Sequence, residues 1–276
     1  MYGHATATKM RSAISERYPP AVIDAHAHLT DRRFAGDLAD VLERARKAGV
    51  ERILTASEDV ASSEEALALA AQHSDVRVAV GVHPHRAASW NVDALSRLTD
   101  LARDARVVAI GEIGMDLSGR SSPPAVQEAA FRGQLALASL LDLPVVIHVR
   151  DAGDRVRAIL GEGLGVRGMI HCYSEGPDEL PAWLELGLFI SFAGTVTYPG
   201  SEALRAAAVR VPAGGLLAET DAPYLAPQNA RGRRNEPLYV AATHAALARE
   251  RGAEIGDLAG QIARNARDLF GGRWGT

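Results

Sequence analysis

The chain has 276 residues, 47% apolar and 23% charged, which is a globular composition sufficient for one large core. Its net charge of −4 excludes a strong overall attraction to nucleic acid or anionic membrane, so such a partner would need a local basic patch. No stretch approaches the roughly 18 apolar residues of a membrane span, and residues 1–20 lack the apolar core of a signal peptide. One cysteine, Cys172, excludes an internal disulfide. We therefore expect a cytoplasmic protein with no membrane partner and no obligate protein partner.

From residue 22 onward, short apolar runs alternate with longer amphipathic stretches. The runs predict eight strands, at 22–29, 52–57, 76–84, 107–116, 144–149, 168–174, 188–194 and 216–224. Helical periodicity is typical of the stretches between them, such as 38–49, 62–73 and 125–141. The seventh connection is short and has room for only a brief helix.

Apolar strands separated by helices indicate a parallel sheet that is covered on both faces. Eight such units predict an α/β fold, a single (β/α)8 TIM barrel. The alternative is an open doubly wound sheet, but no GxGxxG loop follows the first strand. The domain boundaries are then an N-terminal extension, 1–20, expected to be flexible, and a barrel over 21–276.

Polar residues collect where the predicted strands end, which is the face that carries the chemistry in such barrels. Six of the nine histidines lie at these ends. The imidazoles and carboxylates there are His26, His28, His83, His85, Glu112, Asp116, His148, His171, Glu219 and Asp221. Any one of them has an ordinary structural explanation, but together they would form a costly desolvated cluster without a neutralising cation.

The number of donors favours two divalent metal ions over one tetrahedral ion with an open position. The predicted ligands are His26, His28, Glu112, His148, His171 and Asp221. Glu112 is the expected bridge, since no lysine stands in a strand to form the carboxylated lysine of some binuclear barrels. Asp221 is the expected catalytic residue that orients the attacking water and accepts its proton. The ions could be Mg²⁺, Mn²⁺ or Zn²⁺.

Further rim residues are candidates for substrate binding. His83 is expected to face the substrate and not to be a seventh ligand, and Tyr224 stands close to the rim. Arginines suit phosphate recognition, and the candidates are Arg150, beside His148, and Arg231 and Arg233 of the segment RGRRNEP. Aromatic residues are only 5% of the chain, which together with its acidic charge predicts weak binding to single-stranded ends.

The strand-end motifs resemble the TatD family of metal-dependent hydrolases, within the amidohydrolase-like barrels. The matching series runs in order through DAHAHL, GVHPH, GEIGMD, VVIHVRDA, IHCYSE, FAGTVTYP, ETDAPYLAP, RGRRNEP and NARDLF. The resemblance covers 22–270 and implies the same six metal ligands. It also implies a deoxyribonuclease, acting on single strands as a 3′-to-5′ exonuclease with DNA, or RNA, as its nucleic acid substrate.

Two departures from the family pattern concern the rim. LSGRSSPP follows GEIGMD where aromatic residues are usual, and Glu175 replaces the glycine of HCFSG, where an acidic side chain would disfavour a nearby phosphate.

Two other hypotheses stay open. One is hydrolysis of an ester or amide, such as a D-aminoacyl-tRNA or a small molecule, because the same site attacks carbonyl and phosphoryl centres. The other is a non-catalytic barrel that binds metal. Cys172 is interpreted as a packing residue that strand alternation turns away from the metals.

Overall fold

Eight parallel strands form a nearly closed barrel surrounded by helices. The computed structural model describes residues 22–119, 122–163 and 165–275. The strands follow the order of the chain around the sheet, and each pairs in parallel with the next. The predicted barrel is thereby confirmed. The extension predicted over 1–20 lies outside the described residues.

The strands are numbered in chain order. They are β1 (Val22–Ala27), β2 (Val50–Ala56), β3 (Val76–Val80), β4 (Val107–Asp116), β5 (Val145–Arg150), β6 (Gly168–Ile170), β7 (Phe189–Phe192) and β8 (Leu216–Ala218). The helices are α1 (Leu38–Lys47), α2 (Val60–Gln72), α3 (Val92–Leu101), α4 (Pro124–Leu141), α5 (Gly153–Leu160), α6 (Leu180–Glu185), α7 (Glu202–Arg210), α8 (Val240–Arg251) and α9 (Ile255–Phe270). Helix α7 fills the seventh connection with nine residues. Within the described part of the chain, no helix is long and apolar enough to cross a membrane.

Strand β4 shows why an apolar pattern forms this sheet. All ten of its residues are buried, because the barrel interior covers one face and α4 packs against the other. Helix α9 supplies a stripe at helical spacing, including Leu258, Ile262 and Leu269, that packs on β1 and β8. β4 also carries Glu112, only 1% exposed, so the fold places a carboxylate in a position that otherwise suits an apolar side chain.

Several strands end earlier than the sequence predicts. The runs at 76–84, 168–174 and 216–224 leave the sheet after Val80, Ile170 and Ala218. Beyond β6 and β8 the backbone enters the left-handed region, with φ of 45° at Cys172 and 56° at Asp221. A strand pattern predicts extended backbone, but these residues must turn inward over the barrel. At these three ends the polar side chains, His83, His171 and Asp221, therefore stand on short continuations of the strands and not within the ladder.

The barrel closes between β8 and β1 through few contacts. Ala27 and Ala222 form an isolated parallel bridge, and the Asp221 N–H donates to the His26 carbonyl at 2.9 Å. Asp24, fully buried, accepts hydrogen bonds from the Thr220 N–H at 2.8 Å and hydroxyl at 2.6 Å. Asp24 therefore supports the closure, which holds the ends of β1 and β8 together.

We expect Gly114→Ala to destabilise the protein. Gly114 lies in β4 at a φ of 137°, and a Cβ there would meet the His148 carbonyl oxygen of β5 at less than van der Waals distance. Overpacking of this kind costs roughly 1–3 kcal/mol, and the left-handed backbone adds to it. Urea denaturation measures the loss. Gly36→Ala is the matched control, since nothing lies within 4 Å of its Cβ position, and an equal effect of both substitutions would contradict the prediction.

Candidate metal centre

The carboxylate of Glu112 lies at the centre of a cluster of imidazoles at the carboxyl ends of the strands. Its two oxygens face different partners, which divides the cluster into two halves. Three sets of side chains have ligand atoms close enough to hold an ion: His26, Glu112 and His171; His26, His28 and Asp221; and His83, Glu112 and His148. Together these sets contain all six ligands predicted from the sequence, with His83 in addition.

The first half of the cluster is built by β1 and β8. Glu112 Oε2 lies 3.3 Å from His26 Nε2 and 3.4 Å from His28 Nε2. Asp221 Oδ1 lies 3.4 Å from the same atom of His28 and 3.7 Å from that of His26. The two Nε2 atoms are themselves 3.2 Å apart. The alternation of side chains along β1 therefore turns both imidazoles to the same point, as the sequence predicts.

The second half is built by β5 and β6. Glu112 Oε1 lies 2.8 Å from His148 Nδ1 and 2.8 Å from His171 Nε2. The other nitrogen of each ring faces a carboxylate, His171 Nδ1 at 3.1 Å from Glu219 and His148 Nε2 at 3.4 Å from Asp116. A carboxylate on the far nitrogen fixes the ring and leaves the near nitrogen as the ligand. Glu219 and Asp116 carry no role in the predicted ligand set, although both stand at strand ends.

His83 differs from the other imidazoles in the atom it offers. Its Nδ1 accepts a hydrogen bond from the His85 N–H at 3.1 Å. Burial lowers the pKa of His83 to about 4, against the opposing charge of Glu112, so the ring is neutral and carries its proton on Nε2. That atom, 3.3 Å from Glu112 Oε1, is then a hydrogen-bond donor. The tautomer supports the prediction that His83 is not a metal ligand.

The cluster fits a cation because one of its carboxylate oxygens is left without a hydrogen bond. Glu112 Oε2 is buried and has no hydrogen-bond partner among the described residues, although two imidazole nitrogens stand within 3.4 Å. An unsatisfied buried carboxylate oxygen is costly. A metal ion between the oxygen and the nitrogens would satisfy all of them, and imidazole with carboxylate is a donor set that binds divalent metals.

The pKa shifts of the side chains in the cluster also favour binding of a cation. Burial opposes ionisation of Glu112, but the charge of His171 and the hydrogen bond with His148 outweigh it and hold the pKa of Glu112 well below its usual value. Burial also opposes protonation of His28, yet its hydrogen bond to Asp221 and the charge of Glu112 raise its pKa to about 9. Without a cation, protons on imidazoles neutralise the carboxylates, and metal binding has to displace those protons.

The arginines assigned to substrate binding lie on the rim outside the cluster. Arg150 is the last residue of β5 and is exposed, and Arg231 and Arg233 are exposed in the segment after β8. The guanidinium of Arg231 lies 4.4 Å from the ring centre of Tyr198. This pairing gives the rim a cation beside an aromatic face, and only the fold shows it, because 33 positions separate the two residues.

Tyr224 forms another wall of the rim. The residue is 40% exposed, and its ring meets the His28 ring edge-on, with 5.8 Å between centroids. Its hydroxyl donates to Asp31 at 3.3 Å, and Arg33 lies 4.0 Å from the ring centre. Tyr224 is therefore held next to a predicted ligand with part of its surface free for a substrate.

Two charged residues near the rim are engaged within the protein. Arg234, of the same RGRRNEP segment, binds Asp37 at 2.7 Å and Glu236 at 2.9 Å. Glu175 accepts hydrogen bonds from the Trp183 indole at 2.6 Å and from Arg157 at 3.1 Å. The expected repulsion of a phosphate by Glu175 is therefore weakened, because its charge is paired with a guanidinium.

Cys172 is not placed by strand alternation as the sequence suggests. It stands two residues beyond the end of β6, where the chain has left the sheet. Burial raises the pKa of its thiol well above the usual value, and the carboxylates of Asp221 and Glu219 add to this effect. The thiol is thus near the carboxylates and stays protonated, so it is not a nucleophile at neutral pH.

An eight-stranded barrel that gathers imidazoles and carboxylates at the carboxyl ends of its strands has the architecture of metal-dependent hydrolases. The model of one family, TatD related DNase, matches residues 23–271. The chain belongs to this family and is a metal-dependent hydrolase, which confirms the resemblance found in its motifs.

Relatives of known sequence match along nearly their whole length. The chain is 41% identical to a Klebsiella pneumoniae protein named 3′-5′ ssDNA/RNA exonuclease TatD, covering 91% of this chain and 98% of the relative. It is 34% identical to a Bacillus subtilis protein named uncharacterized metal-dependent hydrolase YabD, covering 90% and 98%. Among solved structures, the TatD homolog YjjV of Escherichia coli K12 superposes with a TM-score of 0.85 at 31% identity, covering 91% and 98%.

We expect Arg234→Ala to lower stability while Arg231→Ala does not. Arg234 loses ion pairs to two carboxylates and a contact with the Phe34 ring at 4.8 Å, whereas Arg231 is exposed. The fall in Tm should be roughly 2–4 °C for a chain of this size. Thermal unfolding followed by circular dichroism measures it. Equal Tm values for the two variants would show that the ion pairs of Arg234 do not stabilise the fold.

Proposed function

We propose that this hydrolase removes nucleotides one at a time from the 3′ ends of single-stranded DNA or RNA. The observation that carries the proposal is the position of Glu112, whose two oxygens face separate sets of imidazoles at 2.8–3.4 Å. That geometry is suited to two metal ions with a shared carboxylate. The activity in the name of the Klebsiella relative supports the substrate, since the two proteins are 41% identical over nearly the full length of the relative.

Two divalent cations bound between these donors would polarise the scissile phosphate and lower the pKa of a water into the neutral range. The residues that would hold them are His26, His28, Glu112, His148, His171 and Asp221. These donors suit Mn²⁺ and Zn²⁺, and they accept Mg²⁺ with less selectivity.

The catalytic residue that handles the proton in this proposal is Asp221. Its N–H is anchored to the His26 carbonyl, so the carboxylate keeps a fixed position at the mouth of the cluster. Burial opposes its ionisation, but His28 supplies a hydrogen bond and a positive charge that lower the pKa of Asp221 below its usual value. The ionised carboxylate can orient a water and accept its proton. His83, with its proton on Nε2, is placed to donate to a phosphate oxygen.

The rim arginines supply the attraction that the net charge does not. Arg150 and Arg231 are free to reach phosphate oxygens beyond the metal centre, and Arg233 adds a third exposed cation. With so few cations, binding is local and directed to strand ends. A nucleic acid substrate and a single cysteine agree with a cytoplasmic location.

Removal and return of metal tests the proposed activity. Protein stripped by a chelator should leave a 5′-labelled single-stranded oligonucleotide intact, and Mg²⁺, Mn²⁺ or Zn²⁺ should restore progressive shortening from the 3′ end. Asp221→Asn should lower kcat by about 10²-fold or more, because it removes the proton acceptor and a ligand. Asp268→Asn, an exposed carboxylate on α9, is the matched control. If metal binds but no oligonucleotide is cut, the substrate is a different one, and aminoacyl esters would be assayed next.

Truncation of an arginine tests the route of the strand. We expect Arg231→Ala to raise KM severalfold with little change in kcat and to reduce the dependence of kcat/KM on salt, because one phosphate contact is lost. Oligonucleotide cleavage at 50 and 200 mM salt measures both effects. Arg249→Ala, at the end of α8, is the control for loss of one exposed cation. Kinetics equal to the wild type at every salt concentration would remove Arg231 from the binding surface.

A further inference from the structure

Two asparagines lie at opposite ends of β8, and both are fully buried. Asn235 belongs to the segment RGRRNEP and lies beyond the carboxyl end of the strand, whereas Asn265 lies on α9 at the amino end. A side-chain amide that is removed from water needs partners for its donors and its acceptor. The partners of each asparagine therefore show which parts of the backbone it holds.

The amide of Asn235 spans the turn 220–224, which carries Asp221. Its Nδ2 donates to the Thr220 carbonyl at 2.8 Å and to the Tyr224 carbonyl at 2.6 Å. Its Oδ1 accepts from the Glu236 N–H at 3.0 Å. Carbonyl oxygens only accept, so these partners determine which way the amide is turned. One side chain thus links the residue before Asp221 to the residue three positions after it.

The position of Asp221 depends on this turn. The Asp221 N–H donates to the His26 carbonyl at 2.9 Å, and its own carbonyl accepts from the Tyr224 N–H at 2.8 Å. The backbone of Asp221 is left-handed, a conformation that a residue other than glycine keeps where its surroundings impose it. A turn that opened would release that conformation and would move the carboxylate away from His26 and His28.

Asn235 is itself anchored to the outer layer of the barrel. Arg234, the residue before it, pairs with Asp37 at 2.7 Å. Glu236, the residue after it, pairs with Arg44 of α1 at 2.8 Å. Ion pairs on both sides therefore hold the backbone of Asn235 in place. The amide connects this fixed segment to the turn and does not simply follow the turn when it moves.

Asn265 forms the same kind of link at the other end of β8. Its Nδ2 donates to the carbonyls of Ala213 and Leu216, each at 2.7 Å, and its Oδ1 accepts from Gln261 at 2.8 Å. The two asparagines are alike in burial and in the number of carbonyls they hold, and they differ in their distance along β8 from the metal centre. Their comparison separates a loss of stability from a loss of position.

We propose that Asn235 is a positioning residue, which acts through the turn 220–224 and holds the carboxylate of Asp221 where a metal ligand and proton acceptor has to stand. This role rests on the proposed function, in which Asp221 is both. The segment RGRRNEP then has two tasks, because Arg231 and Arg233 face the substrate whereas Asn235 supports the metal centre.

Substitution by alanine removes both donors without adding a charge. In the full-length protein stripped by a chelator, Asn235→Ala should lower the affinity for Mn²⁺ measured by calorimetry by about tenfold, as for other residues that orient metal ligands. It should lower kcat on a single-stranded oligonucleotide by a similar factor. Asn265→Ala, the matched control, should lower Tm about as much and leave the Mn²⁺ affinity and kcat as in the wild type. Asn235→Ser replaces Asn235→Ala in these measurements if the alanine variant does not fold.

A double-mutant cycle tests whether Asn235 acts through Asp221. In the Asp221→Ala background no carboxylate is left to position, so Asn235→Ala should change the Mn²⁺ affinity by less than about twofold. Effects of the two substitutions that add in full would overturn the inference, and so would equal losses of Mn²⁺ affinity in Asn235→Ala and Asn265→Ala. If the wild type cuts no oligonucleotide, the proposed activity fails, and the Mn²⁺ affinities still decide the role of Asn235.

Discussion

A single buried carboxylate organises this site. Glu112 is 1% exposed and presents one oxygen to imidazoles from β1 and the other to imidazoles from β5 and β6. A charge removed so far from water requires compensation, and the imidazoles supply it only by holding protons. The affinity for cations is therefore a consequence of where β4 places one glutamate, and the neighbouring side chains are arranged around that fact.

The accuracy of this arrangement depends on how the strands end. His28, His171 and Asp221 each stand just beyond a strand, on backbone that is tied to the neighbouring strand by hydrogen bonds. At Asp221 the chain takes a left-handed conformation that aims the carboxylate over the barrel. Hydrogen bonds to the sheet thus hold these ligands rigidly, while their side chains are not limited to the alternating faces of a strand. Metal-assisted hydrolysis needs preorganisation of this kind.

The charged residues near the rim fall into two groups, those paired within the protein and those left exposed, although the chain as a whole is acidic. Some charged residues close to the rim are internal pairs, as Arg234 is with Asp37 and Glu175 with Arg157. Other cations, namely Arg150, Arg231 and Arg233, stay exposed to solvent. A substrate with many phosphates would therefore meet these local cations, and a net charge of −4 does not describe what it encounters.

The barrel and the ligand types follow from local patterns in the chain. Apolar runs at regular intervals, each ending in polar residues, imply parallel strands whose carboxyl ends share one face, and this reasoning needs no coordinates. Distances between residues far apart in the chain do not follow from such patterns. Contacts between residues far apart in the chain decide the strand lengths, the approach of His83 Nε2 to Glu112 and the ion pair of Arg234 with Asp37. Hydrophobic periodicity records which face a residue takes, whereas the position of a side chain at a loop is set by partners that periodicity does not encode.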